Sequence, residues 1–204
     1  MGRIRVGVLA LQGDCEAHAS VLVRLGAEPV LVRDPEELAD VMGLILPGGE
    51  STTIGKLLLR VGLDEAIRER AQQGMPVYGT CAGMILMAKR IKGSEQPRLG
   101  LMDITVARNA FGRQIDSFEA DIPAPAFGEQ PVRGVFIRAP YVTEVGDSVE
   151  VLARYGDVIV AVRERQLMAT AFHPELTDDT RIHEAFLTAC INFGLELNST
   201  NREP

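Results

Sequence analysis

Apolar positions along this chain fall first into short continuous runs separated by amphipathic stretches, and later into short alternating runs. Residues 4–11 (IRVGVLAL) form a run rich in β-branched residues, ended by Gln12-Gly13, and predict a buried strand. Asp14 is placed to cap a helix running to about Leu25, with Gly26 as its stop. Residues 29–32 predict a second strand. Asp34-Pro35 then opens a short helix, with Asp34 as cap and proline in the first turn. Residues 44–46 predict a third strand, cut off by Pro47-Gly48-Gly49. Residues 50–53 lead into an amphipathic helix over 54–61, and a further helix spans 63–73. A fourth strand, 75–78, runs straight into Gly79-Thr80-Cys81-Ala82-Gly83, and residues 84–91 read as a helix that is apolar on one side. Strand and helix alternate throughout these 91 residues, which implies a parallel sheet covered on both faces.

The second half changes style. Residues 101–106, 134–137, 149–154, 158–163 and 167–172 predict strands, with a hairpin turn at Gly156-Asp157. Residues 181–193 predict a closing helix, 93–100 and 121–131 are Gly/Pro-rich loops, and 198–204 form a polar, frayed tail. The expected architecture is α/β: three layers, a mostly parallel central sheet with helices on both faces, and an added antiparallel portion. One domain, residues 1–197, accounts for it.

Composition narrows the function. The 204 residues are 46% hydrophobic and 24% charged, with a formal net charge of −7. Such a chain builds its own core and makes a poor phosphate-backbone binder, so nucleic acid is not an expected partner. The three cysteines, Cys15, Cys81 and Cys190, are odd in number and widely spaced, which argues against a disulfide framework or a zinc site and points to a reducing cytoplasm. No metal or cofactor is expected. No apolar run of about 18 residues is present, so no membrane span is expected.

Chemistry concentrates at three places. In Gly79-Thr80-Cys81-Ala82-Gly83 a cysteine sits between a strand and a helix, where the chain must turn sharply. Glycine two residues before and two after removes the collisions such a turn would cause. The following helix directs free N–H groups at the sulfur, favouring thiolate, and the Ala82 N–H is placed to hold an oxyanion. Cys15 and Cys190 lack both features and read as inert helix residues.

The second place is Phe172-His173-Pro174-Glu175. Pro174 keeps His173 extended, and residues two apart in an extended chain point the same way, so Glu175 reaches one ring nitrogen and fixes the tautomer. The other nitrogen is left to take a proton from Cys81. The other histidines, His18 and His183, read as members of solvated helix faces.

The third is Leu46-Pro47-Gly48-Gly49-Glu50-Ser51-Thr52-Thr53. Paired glycines after a strand expose backbone N–H groups, a natural second oxyanion donor at Gly48-Gly49. Ser51 and Thr52 also read as good helix caps, with Glu50 favouring the first turn. A phosphate-binding loop is excluded: five residues separate Gly49 from Gly55-Lys56 where four are needed, and Leu57 stands where a hydroxyl would bind magnesium.

Together these elements resemble the class I (triad) glutamine amidotransferases, in the order Pro-Gly-Gly, then Gly-x-Cys-x-Gly, then His-Pro-Glu. Further segments extend the resemblance over almost the whole chain: Val8-Leu9-Ala10-Leu11-Gln12-Gly13, Arg108-Asn109-Ala110-Phe111-Gly112-Arg113-Gln114, Asp116-Ser117-Phe118-Glu119 and Gly134-Val135-Phe136-Ile137-Arg138-Ala139-Pro140. With the motifs above they are similar to one branch, the glutaminase subunits of pyridoxal 5′-phosphate synthase (PdxT/SNO family).

The resemblance implies a flavodoxin-like fold and hydrolysis of L-glutamine to glutamate and ammonia by Cys81, His173 and Glu175. It implies glutamine contacts at Gly49, Glu50, Ser51, Arg108, Ile137 and Arg138, and a residue near the partner interface that helps switch the site on at Gln12. It implies transfer of ammonia to a synthase partner, a (β/α)8 barrel (PdxS/SNZ), in a hetero-oligomer. The chain departs from the family at Ala110, often serine, and at Tyr141, often histidine; neither carries the triad.

By residue type alone, Arg108 suits a substrate carboxylate or a surface salt bridge, and the same holds for Arg138. Two other readings stand beside the resemblance. One is a different enzyme on the same elbow, a glutaminase feeding another synthase or a cysteine hydrolase. The other is a non-catalytic α/β binding module.

Overall fold

The computed structural model describes residues 3–108 and 117–200. Strand β1 (Arg5–Leu9) leads through a loop to helix α1 (Cys15–Arg24), whose cap is Asp14, its carboxylate accepting the Ala17 N–H. Strand β2 (Glu28–Val32) and a 3-10 turn at Pro35–Leu38 follow, the turn closed by a capping box between Asp34 and Glu37. Strand β3 (Leu44–Leu46) is buried at every position, as its apolar run requires. Helices α2 (Ser51–Val61) and α3 (Leu63–Gln72) meet at Gly62, which takes a left-handed conformation. Strand β4 (Val77–Thr80) lies two residues later than its predicted position and ends one residue before Cys81.

Here the structure corrects the sequence reading. The predicted helix over residues 84–91 is a six-residue helix, α4 (Ala82–Met87), followed by a strand, β5 (Ala88–Ile91). Local composition favours continued helix, but β5 gains a parallel ladder with β6 (Met102–Ala107), and Arg90 bonds Asp103 and Thr105 across it. Tertiary pairing overrides propensity. The remaining strands are β7 (Ser117–Ile122), β8 (Val132–Ile137), β9 (Tyr141–Val145), β10 (Glu150–Tyr155), β11 (Val158–Glu164) and β12 (Leu167–Thr170). Of these, β7 and β9 were not expected. Helix α5 (Arg181–Thr200) closes the chain and reaches three residues into the segment read as a frayed tail. Residues 201–204 of that tail lie outside the described residues, as do residues 109–116 with Ala110.

One sheet runs β2-β1-β3-β4-β12-β11-β9-β6-β5, with β10 added against β11. From β2 to β12 every neighbour is parallel. Beyond β12 the sheet turns antiparallel through β11 and β9, ending in the parallel β5–β6 pair. A separate antiparallel pair, β7–β8, stands apart. The α/β reading with an added antiparallel portion therefore holds. The core is one contiguous cluster, with Tyr78, Phe136, Phe172 and Phe186 among its largest fully buried members. Among the described residues no helix is long and apolar enough to cross a membrane.

This topology decides where chemistry sits. In an open parallel sheet the loops beyond the strand carboxyl ends converge at one rim, where the strand order reverses. Here β1, β3, β4 and β12 lead respectively to Gln12, to Gly48–Glu50, to Cys81 and to His173, so segments far apart in sequence arrive together.

Candidate active site

Cys81 stands at the turn from β4 into α4 with φ 49° and ψ −103°, one of three non-glycine residues at positive φ among those described. Such a backbone costs on the order of 1–3 kcal/mol and persists only where its surroundings impose it. Those surroundings are identifiable. The Cys81 N–H donates to the Thr170 carbonyl at 2.8 Å, and Thr80 pairs with Thr170 in the β4–β12 ladder. A Cβ at Gly83 would lie 2.1 Å from the Leu46 carbonyl oxygen, and one at Gly79 2.6 Å from the Gly83 backbone. Glycine at both positions is thus required by close backbone approach, as the motif suggested. Since α4 has only six residues, its N-terminal effect rests on individual free N–H groups, Ala82 first among them, rather than on a long helix dipole.

His173 follows β12, and its N–H donates to the Val135 carbonyl of β8 at 2.8 Å. Pro174–Leu176 forms a 3-10 turn, so Glu175 reaches back by a turn and not along an extended chain. The contact forms all the same: His173 Nδ1 lies 2.7 Å from Glu175 Oε1, with both residues buried. Cys81 lines the same cavity as the imidazole. Burial alone would lower the imidazole pKa, but interaction with Cys81 and Glu175 raises it to about 10. Burial would push the Glu175 carboxyl up. His18 and His173, by charge and hydrogen bond, hold it well below the usual carboxylate range.

The Gly48–Glu50 segment is pinned from the β1 side. Gly48 accepts the Asp14 N–H at 3.4 Å, and Gln12 Oε1 accepts the Glu50 N–H at 2.8 Å. A Cβ at Gly48 would lie 2.3 Å from the His173 ring, so any side chain there would displace the imidazole. The cap of α2 is Glu50, not Ser51 or Thr52: its carboxylate accepts the N–H groups of Thr52 and Thr53 and the Thr53 hydroxyl. Burial opposes the charge on Glu50, but these bonds, with Arg108 nearby, outweigh it and lower its pKa. Cys190 is as inert as expected, buried in α5 with its thiol pKa pushed up by burial.

One cavity of about 400 Å³ gathers these groups. Its lining contains every residue singled out from sequence: Gln12, Gly48, Gly49, Glu50, Ser51, Cys81, Ala82, Arg108, Ile137, Arg138, His173 and Glu175. Ile137 presents its carbonyl 3.7 Å from Cys81 Sγ, and Arg138 follows it at positive φ. The volume suits a small amino acid. Among the described residues no group of three or more His, Cys, Asp or Glu is arranged to hold a metal.

Sequence reasoning missed three residues. Gln96 is buried, and its Oε1 accepts from Arg108, Thr52 and Ser51, tying one wall of the cavity together. His18 and His183, read as solvated, are both fully buried. His18 Nε2 lies 3.3 Å from Glu175 Oε1, and its Nδ1 lies 3.0 Å from His183 Nε2. Their helices are short of charge on the histidine faces, a faint signal that burial was available.

Comparison with known proteins gives a concordant result. A protein of Pelotomaculum thermopropionicum described as pyridoxal 5′-phosphate synthase subunit PdxT is 60% identical over 191 residues, covering 94% of this chain and 97% of the relative. One of Carboxydothermus hydrogenoformans with the same description is 58% identical, covering 90% and 96%. A solved structure described as a glutamine amidotransferase superposes with a TM-score of 0.87 at 51% identity, over 91% of this chain and 98% of the other. The family model of the SNO glutamine amidotransferases matches residues 8–192, and on that extent of agreement the chain belongs to the SNO glutamine amidotransferase family.

Proposed function

We propose that this chain is the glutaminase subunit of a pyridoxal 5′-phosphate synthase, hydrolysing L-glutamine at Cys81 and passing ammonia to a synthase partner. The observation that carries the reading is the meeting, in one small cavity, of a backbone-strained cysteine with a buried His–Glu pair. Strain at a sulfur that shares a cavity with a buried His–Glu pair supports chemistry there, since strained backbones cluster at functional sites. The relatives' description as synthase subunits supports the choice of partner.

Glutamine enters with its side-chain amide over Cys81. Arg108 and Arg138 offer cations to its carboxylate, and Glu50 offers an anion to its ammonium group. The sulfur attacks the amide carbon while His173 retains the thiol proton, which an imidazole held at about 10 does readily. The tetrahedral oxyanion is held by the Ala82 N–H and by the Gly48-Gly49 backbone. The imidazolium then gives its proton to the leaving nitrogen, ammonia departs, and a thioester to Cys81 remains. Water, deprotonated by His173, cleaves the thioester to glutamate and restores the thiol. Because Gln12 and Asp14 pin residues 48–50, a partner that engages Gln12 gains leverage over the oxyanion donors.

Two expectations follow at the bench. The isolated chain turns over glutamine slowly, and adding the barrel-type synthase raises the rate; full activity of the chain alone would contradict this. A glutamine-analogue electrophile labels Cys81 stoichiometrically, with Cys15 and Cys190 left free when peptides are mapped by mass spectrometry. Labelling spread over all three cysteines would remove the case for a built site.

A further inference from the structure

Glu175 is not satisfied by His173 alone. The oxygen that accepts from His173 Nδ1 at 2.7 Å is also 3.3 Å from His18 Nε2, on helix α1. His18 Nε2 lies in addition 3.2 Å from Thr80 Oγ1, one residue before Cys81. Its Nδ1 is 3.0 Å from His183 Nε2, on α5. His18, His183 and Thr80 are all fully buried.

Two sequence-distant helices therefore each give a buried histidine to a chain that ends on the carboxylate. Burying two imidazoles is costly unless their nitrogens are paired, and three of the four are. His183 Nδ1 has no partner, and burial and His18 push the His183 pKa down to about 3, so His183 takes no second proton at neutral pH. With His183 Nε2–H donating to His18 Nδ1, His18 carries its hydrogen on Nε2, the nitrogen that faces Glu175.

We propose that His18, backed by His183, is a positioning residue for the glutaminase reaction: it fixes the Glu175 carboxylate and keeps it anionic, so that Glu175 can hold His173 in its productive tautomer. This rests on the glutaminase reading above. Glu175 Oε2 is buried without a partner, so the carboxylate's placement depends wholly on the bonds to Oε1. Remove the His18 donor and only His173 remains, the group that must change protonation in each turnover. A carboxylate with one fewer donor in a buried site is also easier to protonate. Protonated, it no longer favours the Nδ1–H tautomer of His173. The charged and titratable groups around His18 are Glu175 from the segment after β12, His183 from α5 and Tyr78 from β4, with His173 reached through Glu175 and the charge of Arg24 acting on His183. His18 does not line the cavity, so its loss leaves substrate contacts intact.

The test uses the full chain with its synthase partner and two polar replacements of like size. Gln at position 18 reaches the Nε2 position and restores a donor to Glu175; Asn reaches only the Nδ1 position. His18→Asn should lower kcat by about tenfold or more with KM unchanged, and move the acid limb of the kcat/KM profile to higher pH. His18→Gln should recover most of kcat and leave the acid limb in place. Equal kcat and equal acid limbs in the two folded variants, whether at the wild-type level or below it, overturn the proposal. Wild type and Cys81→Ala are run alongside. An inactive wild type or an active Cys81→Ala overturns the glutaminase reading and this inference with it. An active wild type and an inactive Cys81→Ala confine any failure to His18.

Discussion

At the scale of residues the chemistry turns on one buried pair, His173 and Glu175. Glu175→Gln keeps the shape of the side chain but lets the amide donate to His173 and favour the wrong tautomer. It should lower kcat by about 10³–10⁴-fold with partner present. The same pair shapes stability against pH. The Glu175 carboxyl is lowered from 4.5, so its contribution is complete above pH 4.5 and is lost as pH falls through the folded value. The His173 imidazole is raised from 6.5 to about 10, so its contribution is full below pH 6.5 and fades as pH rises toward 10. The Tm of wild type minus that of Glu175→Gln should therefore be greatest between pH 4.5 and 6.5 and shrink on either side. A difference that is flat with pH would mean the pair is not coupled as described. Cys81, His173 and Glu175 were legible in the sequence because local rules mark them: glycines around a turn, and a proline between two side chains that must meet. His18 and His183 were not, because a helix pattern shows which residues share a face but not whether another helix covers it. Here α1 and α5 bring those faces together behind the sheet rim.

At the scale of elements the tight approach of α4 to β3 is the feature that places the nucleophile. Gly83→Ala should cost about 1–3 kcal/mol in urea unfolding, because its Cβ would meet the Leu46 carbonyl, which belongs to a buried strand and cannot retreat. Gly194→Ala, within α5, is the contrasting case. Among the described residues its Cβ would meet the flexible Met42 side chain at 3.3 Å, so helix propensity should leave stability unchanged or raised by up to about 1 kcal/mol. Equal costs at both sites would refute the packing argument. Glu50→Ala removes the α2 cap and should cost about 0.5–2 kcal/mol in the same assay. The elements missed or misread share a cause. In β7 the alternation of Phe118, Ala120 and Ile122 with Ser117, Glu119 and Asp121 was present, but a half-exposed strand pattern this short carries meaning only with its partner β8 known. The β5 strand follows α4 without a break, and only its ladder with β6 distinguishes it from more helix.

At the scale of the whole molecule, five adjacent parallel strands bring four loop segments to one rim; the α/β alternation in the first ninety or so residues foretold the parallel sheet, but not that β12 from the second half joins it. The antiparallel half was legible as strands at β6, β10 and β11 but not at β9, and not as an order, since β11 joins β12, β9 and β10 through contacts no local pattern encodes. That order matters to the site because β8, in its own small sheet, holds the His173 backbone through Val135 and sets the Ile137 carbonyl beside Cys81. The most direct measurement of the central claim is glutamate release from glutamine by wild type and by Cys81→Ala, each mixed with the synthase partner. Wild type should turn over steadily and the variant should fall by on the order of 10⁴-fold or more, to the blank; glutamate formed by the variant at an appreciable fraction of the wild-type rate would contradict nucleophilic attack by Cys81.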